Sequence, residues 1–329
     1  MTAPGVEEDA ERLFEGFVCS VVALLEQRDP TTFGHMGRVA GMAVSLAQAA
    51  DQVTHGPLRD VHFSRDQIRE IRYAALLHDI GMVAVREQLL FKARKLYPPD
   101  LALIRQRVAF IRRTMEAEYR RQQVEYLKKE GMAGYDPFLQ KLAAEHQEHI
   151  EELDRFMHLV LDSNEPTALP DGSLEGLQSY TERYYEDLDG RQQPYLTDDE
   201  VRCLSIRQGC LDESERLEME MHVAHTYGFL HQIPWRKELA GIPLIAYGHH
   251  EKLDGSGYPR KLRGPDIPVQ TRIITIADIF DALTASDRPY KRAVPIPLAL
   301  DIMAEEVKAG MLDADLFKLF VESKAFEVT

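Results

Sequence analysis

The chain has 329 residues, enough for one large or two smaller domains, and its 44% hydrophobic and 28% charged residues are those of a soluble globular protein. A net charge of −15 argues against a binder of polymeric nucleic acid, which needs a basic surface, and no apolar run is long enough to span a bilayer. The N-terminus lacks a signal core, and Cys19, Cys203 and Cys210 form neither a metal-binding spacing nor a disulfide framework, so the cytoplasm is the expected compartment.

Residues 7–28 are expected to form a helix with Leu13, Phe17, Val21, Leu24 and Leu25 on one stripe, closing at Asp29-Pro30. A second helix starts near Thr31-Thr32, turns Val39, Met42, Ala43, Leu46 and Ala47 inward, and holds His35 in its first turns. A third spans 66–80, where Gly81 reads as a stop signal. Further on, Leu101, Ile104, Val108, Ile111 and Met115 recur every three or four residues, as do Leu139, Leu142, His146, Ile150, Leu153, Met157 and Val160. That spacing predicts paired helices, and Gly131 to Pro137 supplies the turn of an antiparallel hairpin. Closure of the stripe within the hairpin favours a monomer; pairing with a second copy is the homodimeric alternative. Thr197-Asp198-Asp199-Glu200 has capping-box form, and Asp212 opens the helix that carries His222. Nothing alternates with a strand period for long. The expectation is an all-α fold: an N-terminal helix at 1–30, a core built from 31–95 and 196–329, and a helical insertion at 96–195.

Most of the 12 histidines have no supporting context. Asp278 is different, because the run Ile273 to Leu283 reads as a helix buried on most of its circumference, and an ionised carboxylate there needs a cation or several donors. The same holds for His78-Asp79 at the end of an apolar stretch. Adjacent helical residues point about 100° apart, so this pair suits two metals with the aspartate bridging. His249-His250 adds further imidazoles. Mixed nitrogen and oxygen donors admit iron, manganese, zinc, cobalt or nickel. His225 follows His222 by three residues and faces similarly.

His35 with Arg38-Val39, then Leu77-His78-Asp79-Ile80-Gly81, then His249-His250-Glu251-Lys252-Leu253-Asp254-Gly255-Ser256-Gly257-Tyr258-Pro259, then Ile276-Ala277-Asp278-Ile279-Phe280-Asp281-Ala282-Leu283 and Arg288-Pro289-Tyr290-Lys291 resemble the HD-GYP family. That family is the branch of the HD phosphohydrolases that cleaves cyclic di-GMP, and the resemblance covers roughly 31–95 and 196–320. It implies an HD-domain helical bundle with His35, His78, Asp79, His222, His249, His250 and Asp278 as metal ligands. One ion would take His35, His78, Asp79 and Asp278, the other Asp79, His222, His249 and His250. Iron or manganese is implied, and Thr31, where some members place a third-site glutamate, implies two ions rather than three. Asp79 and Tyr258 are the implied catalytic residues; Gly257, Tyr258, Arg288 and Lys291 are the implied substrate contacts. The implied reaction is in-line hydrolysis of cyclic di-GMP to pGpG and then GMP. One departure stands out: Met82 occupies a position where the family has lysine. Loss of that charge makes a catalytically weak cyclic-dinucleotide receptor, signalling through protein contacts, one alternative. A phosphohydrolase of another cyclic dinucleotide or nucleotide is a second.

Overall fold

The structure, a computed structural model, describes residues 4–28, 33–285 and 293–327. Thr31, Arg288 and Lys291 lie outside them. The regular structure of the described residues is almost wholly helical: α1 Pro4–Arg28, α2 His35–Asp51, α3 Arg65–Leu77, α4 Glu87–Leu90, α5 Pro98–Glu130, α6 Tyr135–Ser163, α7 Ser173–Ser179, α8 Asp198–Leu204, α9 Glu213–Glu220, α10 His222–Leu230, α11 Ile242–Tyr247, α12 Val269–Thr284, α13 Ile296–Lys308 and α14 Ala314–Glu322. A short antiparallel pair, Tyr184–Glu186 with Gln192–Pro194, is the exception to the all-α expectation. At three residues each, these strands are too short to show a period of two. No helix among the described residues is long and apolar enough to cross a membrane.

Two compact units emerge, Met1–Leu90 with Leu217–Thr329, and Phe91–Arg216. The first is centred on α2, whose Val39, Ala43, Leu46, Ala47 and Ala50 are fully buried against α3 and α12. Alanines on that face let the helix axes approach closely. α3 starts on a full capping box, with Ser64 and Gln67 each satisfying the other's backbone N–H. It ends three residues earlier than the sequence suggests, at Leu77, and a 3-10 turn, Ile80–Ala84, follows.

In the second unit, α5 and α6 form the hairpin. Arg112 meets Asp154, Tyr119 stacks on His146 and Tyr126 stacks on Phe138, each pair nearer the turn than the last, as antiparallel helices require. Ile104, Val108 and Ile111 close on Leu153, Phe156 and Val160. The unit is wider than 96–195, because Leu96, Leu196 and Leu204 share its core, and the buried ion pair of Lys92 with Glu215 belongs to it. The Thr197 box caps α8 as its sequence suggests. The single helix expected from Asp212 through His222 is instead two, α9 and α10, separated at Met221. The break coincides with a hydrogen bond from His222 Nδ1 to the Met219 carbonyl, the acceptor that a continuous helix would offer to Val223.

Candidate metal centre

Helix ends build the centre within the first unit. His35 begins α2, His78 and Asp79 follow α3, His222 begins α10, His249 and His250 follow α11, and only Asp278 lies inside a helix, α12. His78, His222 and His249 share one local geometry: each Nδ1 lies 2.6–2.7 Å from the carbonyl oxygen three residues earlier, those of Ala75, Met219 and Ala246. A carbonyl only accepts, so Nδ1 carries the proton and the Nε2 lone pair is left for the site.

Those lone pairs face other acceptors. Asp79 Oδ1 lies 3.2 Å from His222 Nε2 and 3.5 Å from His249 Nε2, while His78 Nε2 lies 3.6 Å from Asp79 Oδ2 and 3.7 Å from Asp278 Oδ1. Accordingly His78 Nε2 and Asp79 Oδ1 are buried with no hydrogen-bond partner. Orphaned acceptors converging in the dark of a core are what a bound cation relieves, and an imidazole and carboxylate set fits divalent transition metals. Donor atoms of His35, His78 and Asp79 lie within 4.8 Å of one another, as do those of His222, His249 and His250, and those of His78, His249 and Asp278. The third group crosses the partition that the resemblance implies, so the donors make one continuous cluster.

His35 is anchored differently. Its Nδ1 donates to Asp281 Oδ2 at 2.7 Å, and its Nε2 lies 3.3 Å from Asp278 Oδ1. Asp281 is itself held by Arg38, with Nε 2.6 Å from Oδ1 and a terminal nitrogen 3.0 Å from Oδ2. Burial disfavours charge on His35, but Asp278 and Asp281 outweigh it and raise its pKa to about 10. Burial likewise works against Asp79 and Asp278, yet the facing histidines hold both well below the usual carboxylate range. His249 and His250 go the other way: burial keeps them below the usual imidazole value, in the neutral form that ligates metals.

Close packing fixes these positions. A Cβ on Gly81 would lie 2.0 Å from the His222 carbonyl oxygen and 2.5 Å from Thr226 N, so Gly81, which lies in the 3-10 turn beyond the end of α3, admits α10. Thr226 Oγ1 accepts from Gly81 N–H and donates to the His78 carbonyl, both at 2.9 Å. On the other side, the buried Glu251 carboxylate accepts from Arg260 N at 2.7 Å and Leu262 N at 2.9 Å, which shapes the Asp254–Pro259 loop. Gly255 takes a positive φ of 80°. Gly257 does not; it is small because a Cβ there would lie 2.4 Å from the His250 carbonyl oxygen and Lys252 N. The loop brings the Tyr258 ring to 4.8 Å from the His250 ring, centroid to centroid. Burial, then Asp79, Glu220 and Asp278, raise the Tyr258 pKa and keep the phenol protonated. Met82 lines a small hollow beside Asp79, with Leu25, Arg28, Met36, Val83 and Leu90. His225 is exposed and joins no donor group. Asp281, Arg38, Thr226 and Glu251 carry the site's support and have no signal in composition. Position gives three of them a signal: Asp281 lies three residues from Asp278 in the same buried run, and Arg38 and Glu251 stand in the strings that carry the family resemblance.

Two family models, each described as an HD domain, match residues 32–184 and 199–316. Among curated proteins, the chain is 47% identical over 111 residues to the 3'3'-cGAMP-specific phosphodiesterase 3 of Vibrio cholerae, covering 34% of this chain and 23% of that protein. It is 39% identical over 120 residues to the 3'3'-cGAMP-specific phosphodiesterase 1 of the same organism, covering 36% and 26%. It is 43% identical over 95 residues to the cyclic di-GMP phosphodiesterase response regulator RpfG of Xanthomonas campestris, covering 29% and 25%. The matches span about a quarter of the length of these relatives. With both HD matches and the histidine and aspartate cluster in place, the chain belongs to the HD domain family and is of the HD-GYP type.

Proposed function

We propose that the chain is a metal-dependent phosphodiesterase of cyclic dinucleotides, with two divalent ions shared by His35, His78, Asp79, His222, His249, His250 and Asp278. The observation that carries this reading is the pair of buried, unpartnered acceptors, His78 Nε2 and Asp79 Oδ1, at the middle of the cluster. Bound ions would supply Lewis acidity, lowering the pKa of water and offsetting charge on phosphoryl oxygens. The residues supply the rest. Asp79 presents one oxygen toward His222 and His249 and the other toward His78, the disposition a bridging carboxylate needs. Tyr258, held neutral beside His250, keeps its Oη proton and can donate it in a hydrogen bond to a phosphoryl oxygen. Iron or manganese is the proposed metal, and pGpG the first product.

The relatives support two substrates of one class, cyclic di-GMP and 3'3'-cGAMP. Met82 favours a second reading, a receptor with weak turnover, since its side chain brings no charge to the hollow beside Asp79. Protein loaded anaerobically with Fe²⁺ or Mn²⁺ and assayed by chromatography on both dinucleotides separates these readings. Linear product from either supports the phosphodiesterase. Tight binding without product supports the receptor, and neither binding nor turnover by fully metallated protein rejects both. Elemental analysis should give two ions per chain, most of both lost in Asp79→Ala.

A further inference from the structure

The N-terminal helix reaches the metal centre. Midway along, α1 is fastened to α3, where Glu15 accepts from Arg72 at 2.6 and 2.9 Å and from the Tyr73 hydroxyl at 2.7 Å. Phe14 meets the rings of Tyr73 and Trp235 edge-on. At the other end Leu25 is buried, and Arg28 reaches across the turn that follows Asp79. One guanidinium nitrogen donates to the Val83 carbonyl and the other to the Val85 carbonyl, the latter at 2.7 Å.

That turn is a short relay of hydrogen bonds. Met82 N–H donates to the Asp79 carbonyl at 2.9 Å, and Val85 N–H donates to the Met82 carbonyl at 3.1 Å. The last carbonyls of a helical turn have no partner within it, and a planar guanidinium is suited to bridge two of them. Asp79, at the head of the relay, shares a hollow with Arg28, Leu25 and Met82.

We propose that Arg28 is a positioning residue for the metal centre: by gripping the far end of the Ile80–Ala84 turn it fixes where Asp79 presents its carboxylate. The grip of Arg28, rather than the seating of α1 as a whole, therefore sets metal affinity and turnover. This rests on the metal reading of the cluster, but the grip itself is a property of the metal-free chain.

The test compares Arg28→Ala, Arg28→Lys and Glu15→Gln in the full chain. Three quantities are read: Mn²⁺ affinity by chelator competition, amide exchange of residues 80–85 without metal, and kcat and KM on cyclic di-GMP. Arg28→Ala should weaken Mn²⁺ binding about tenfold, speed exchange at Met82 and Val85, and lower kcat more than KM. Arg28→Lys should recover part of the affinity, since an ammonium still donates to a carbonyl. Glu15→Gln loosens the same helix at its middle, away from Arg28, and should lower the thermal midpoint while leaving Mn²⁺ affinity in place. Wild-type affinity and exchange in Arg28→Ala would overturn the proposal, as would an equal loss of affinity in Glu15→Gln. Should Arg28→Ala not fold, Arg28→Lys decides: binding about threefold weaker supports the grip, and unchanged binding overturns it. A wild type that binds no Mn²⁺ sinks the metal reading and this proposal together, whereas normal binding with an indifferent Arg28 sinks the grip alone.

Discussion

His35 and Asp281 are joined by a 2.7 Å hydrogen bond from imidazole Nδ1 to carboxylate Oδ2, and Arg38 holds that carboxylate from the other side. The bond turns His35 Nε2 toward Asp278 and makes the imidazole more basic. Support of this kind is worth roughly 10–100-fold in metal affinity. Asp281→Ala should therefore weaken Mn²⁺ binding by about that factor, and Asp281→Asn by less, because an amide oxygen can still accept from Nδ1. Equal affinity in all three proteins, measured by chelator competition, would show that His35 needs no such anchor.

Gly81 supplies the second expectation. The obstacle to a Cβ there is backbone, the His222 carbonyl oxygen at 2.0 Å and Thr226 N at 2.5 Å, so no rotamer change relieves it. Gly81→Ala must push α10 off the turn, carrying His222 away from Asp79. A loss of about 3 kcal/mol or more in stability is expected, in the range of overpacking at a rigid site, together with loss of metal. Thr226→Val keeps the shape and removes only two hydrogen bonds, so it should cost less, about 1–3 kcal/mol. Urea unfolding of the two variants side by side would reveal a reversed order.

What the sequence made legible follows from where apolar periodicity was interrupted. Asp278 in an apolar helix and His78-Asp79 at the end of another stood out because burial of such groups requires a compensating partner. Asp281 sat in the same run without announcing whether it faced the site or solvent; that depends on α2 packing Arg38 and His35 against α12. Gly81 read as a stop signal, and only the approach of α10 from far along the chain gives it a packing role. The hairpin of α5 and α6 was visible in its three-four spacing. The limits of its unit were not, because Lys92 and Glu215 are an ordinary pair of charges until folding buries them together.

Glu70 sets a pH dependence away from the metal. Burial raises its pKa, against the lowering effect of the Gly241 N–H at 2.7 Å. A carboxyl whose folded pKa lies above its unfolded value contributes stability that is present below the unfolded value, 4.5, and is lost as pH rises through the folded one. Glutamine mimics the protonated form at every pH and can still accept from Gly241. Glu70→Gln should thus have the higher thermal midpoint at pH 7–8, with the difference closing toward pH 4. A gap that widens on acidification would reverse the sign and refute the assignment.

Lys92 and Glu215 close the second unit. Lys92 Nζ lies 2.7 and 2.6 Å from the two Glu215 oxygens, and Tyr97 Oη and Asp212 N also donate to that carboxylate. Lys92→Met strands a buried carboxylate and should cost about 3–5 kcal/mol, without affecting Mn²⁺ affinity. Removing the whole unit should be gentler on the metal centre than cutting inside it. Arg86 and Glu218 form a two-point ion pair at 2.7 and 2.6 Å, which holds the chain close together on either side of Phe91–Arg216. Replacement of 91–216 by a short Gly-Ser linker is expected to leave metal binding intact; loss of metal in that protein would mean the centre depends on the hairpin unit.

Met82 bears on turnover more than on binding. It lies in the 3-10 turn headed by Asp79, and its side chain shares the hollow beside that carboxylate with Arg28. Ground-state cyclic dinucleotide would be held by the bound ions and by Tyr258, but the charge that develops on the phosphoryl oxygens in the transition state would meet thioether rather than ammonium at residue 82. A contact made only in the transition state changes kcat and leaves affinity nearly alone. Met82→Lys should accordingly raise kcat on cyclic di-GMP by about tenfold or more, the scale of one charged contact, with the dissociation constant moved far less. Single-turnover rates with metal content confirmed would decide. A kcat that stays level or falls would mean that charge at residue 82 plays no part in this centre's chemistry.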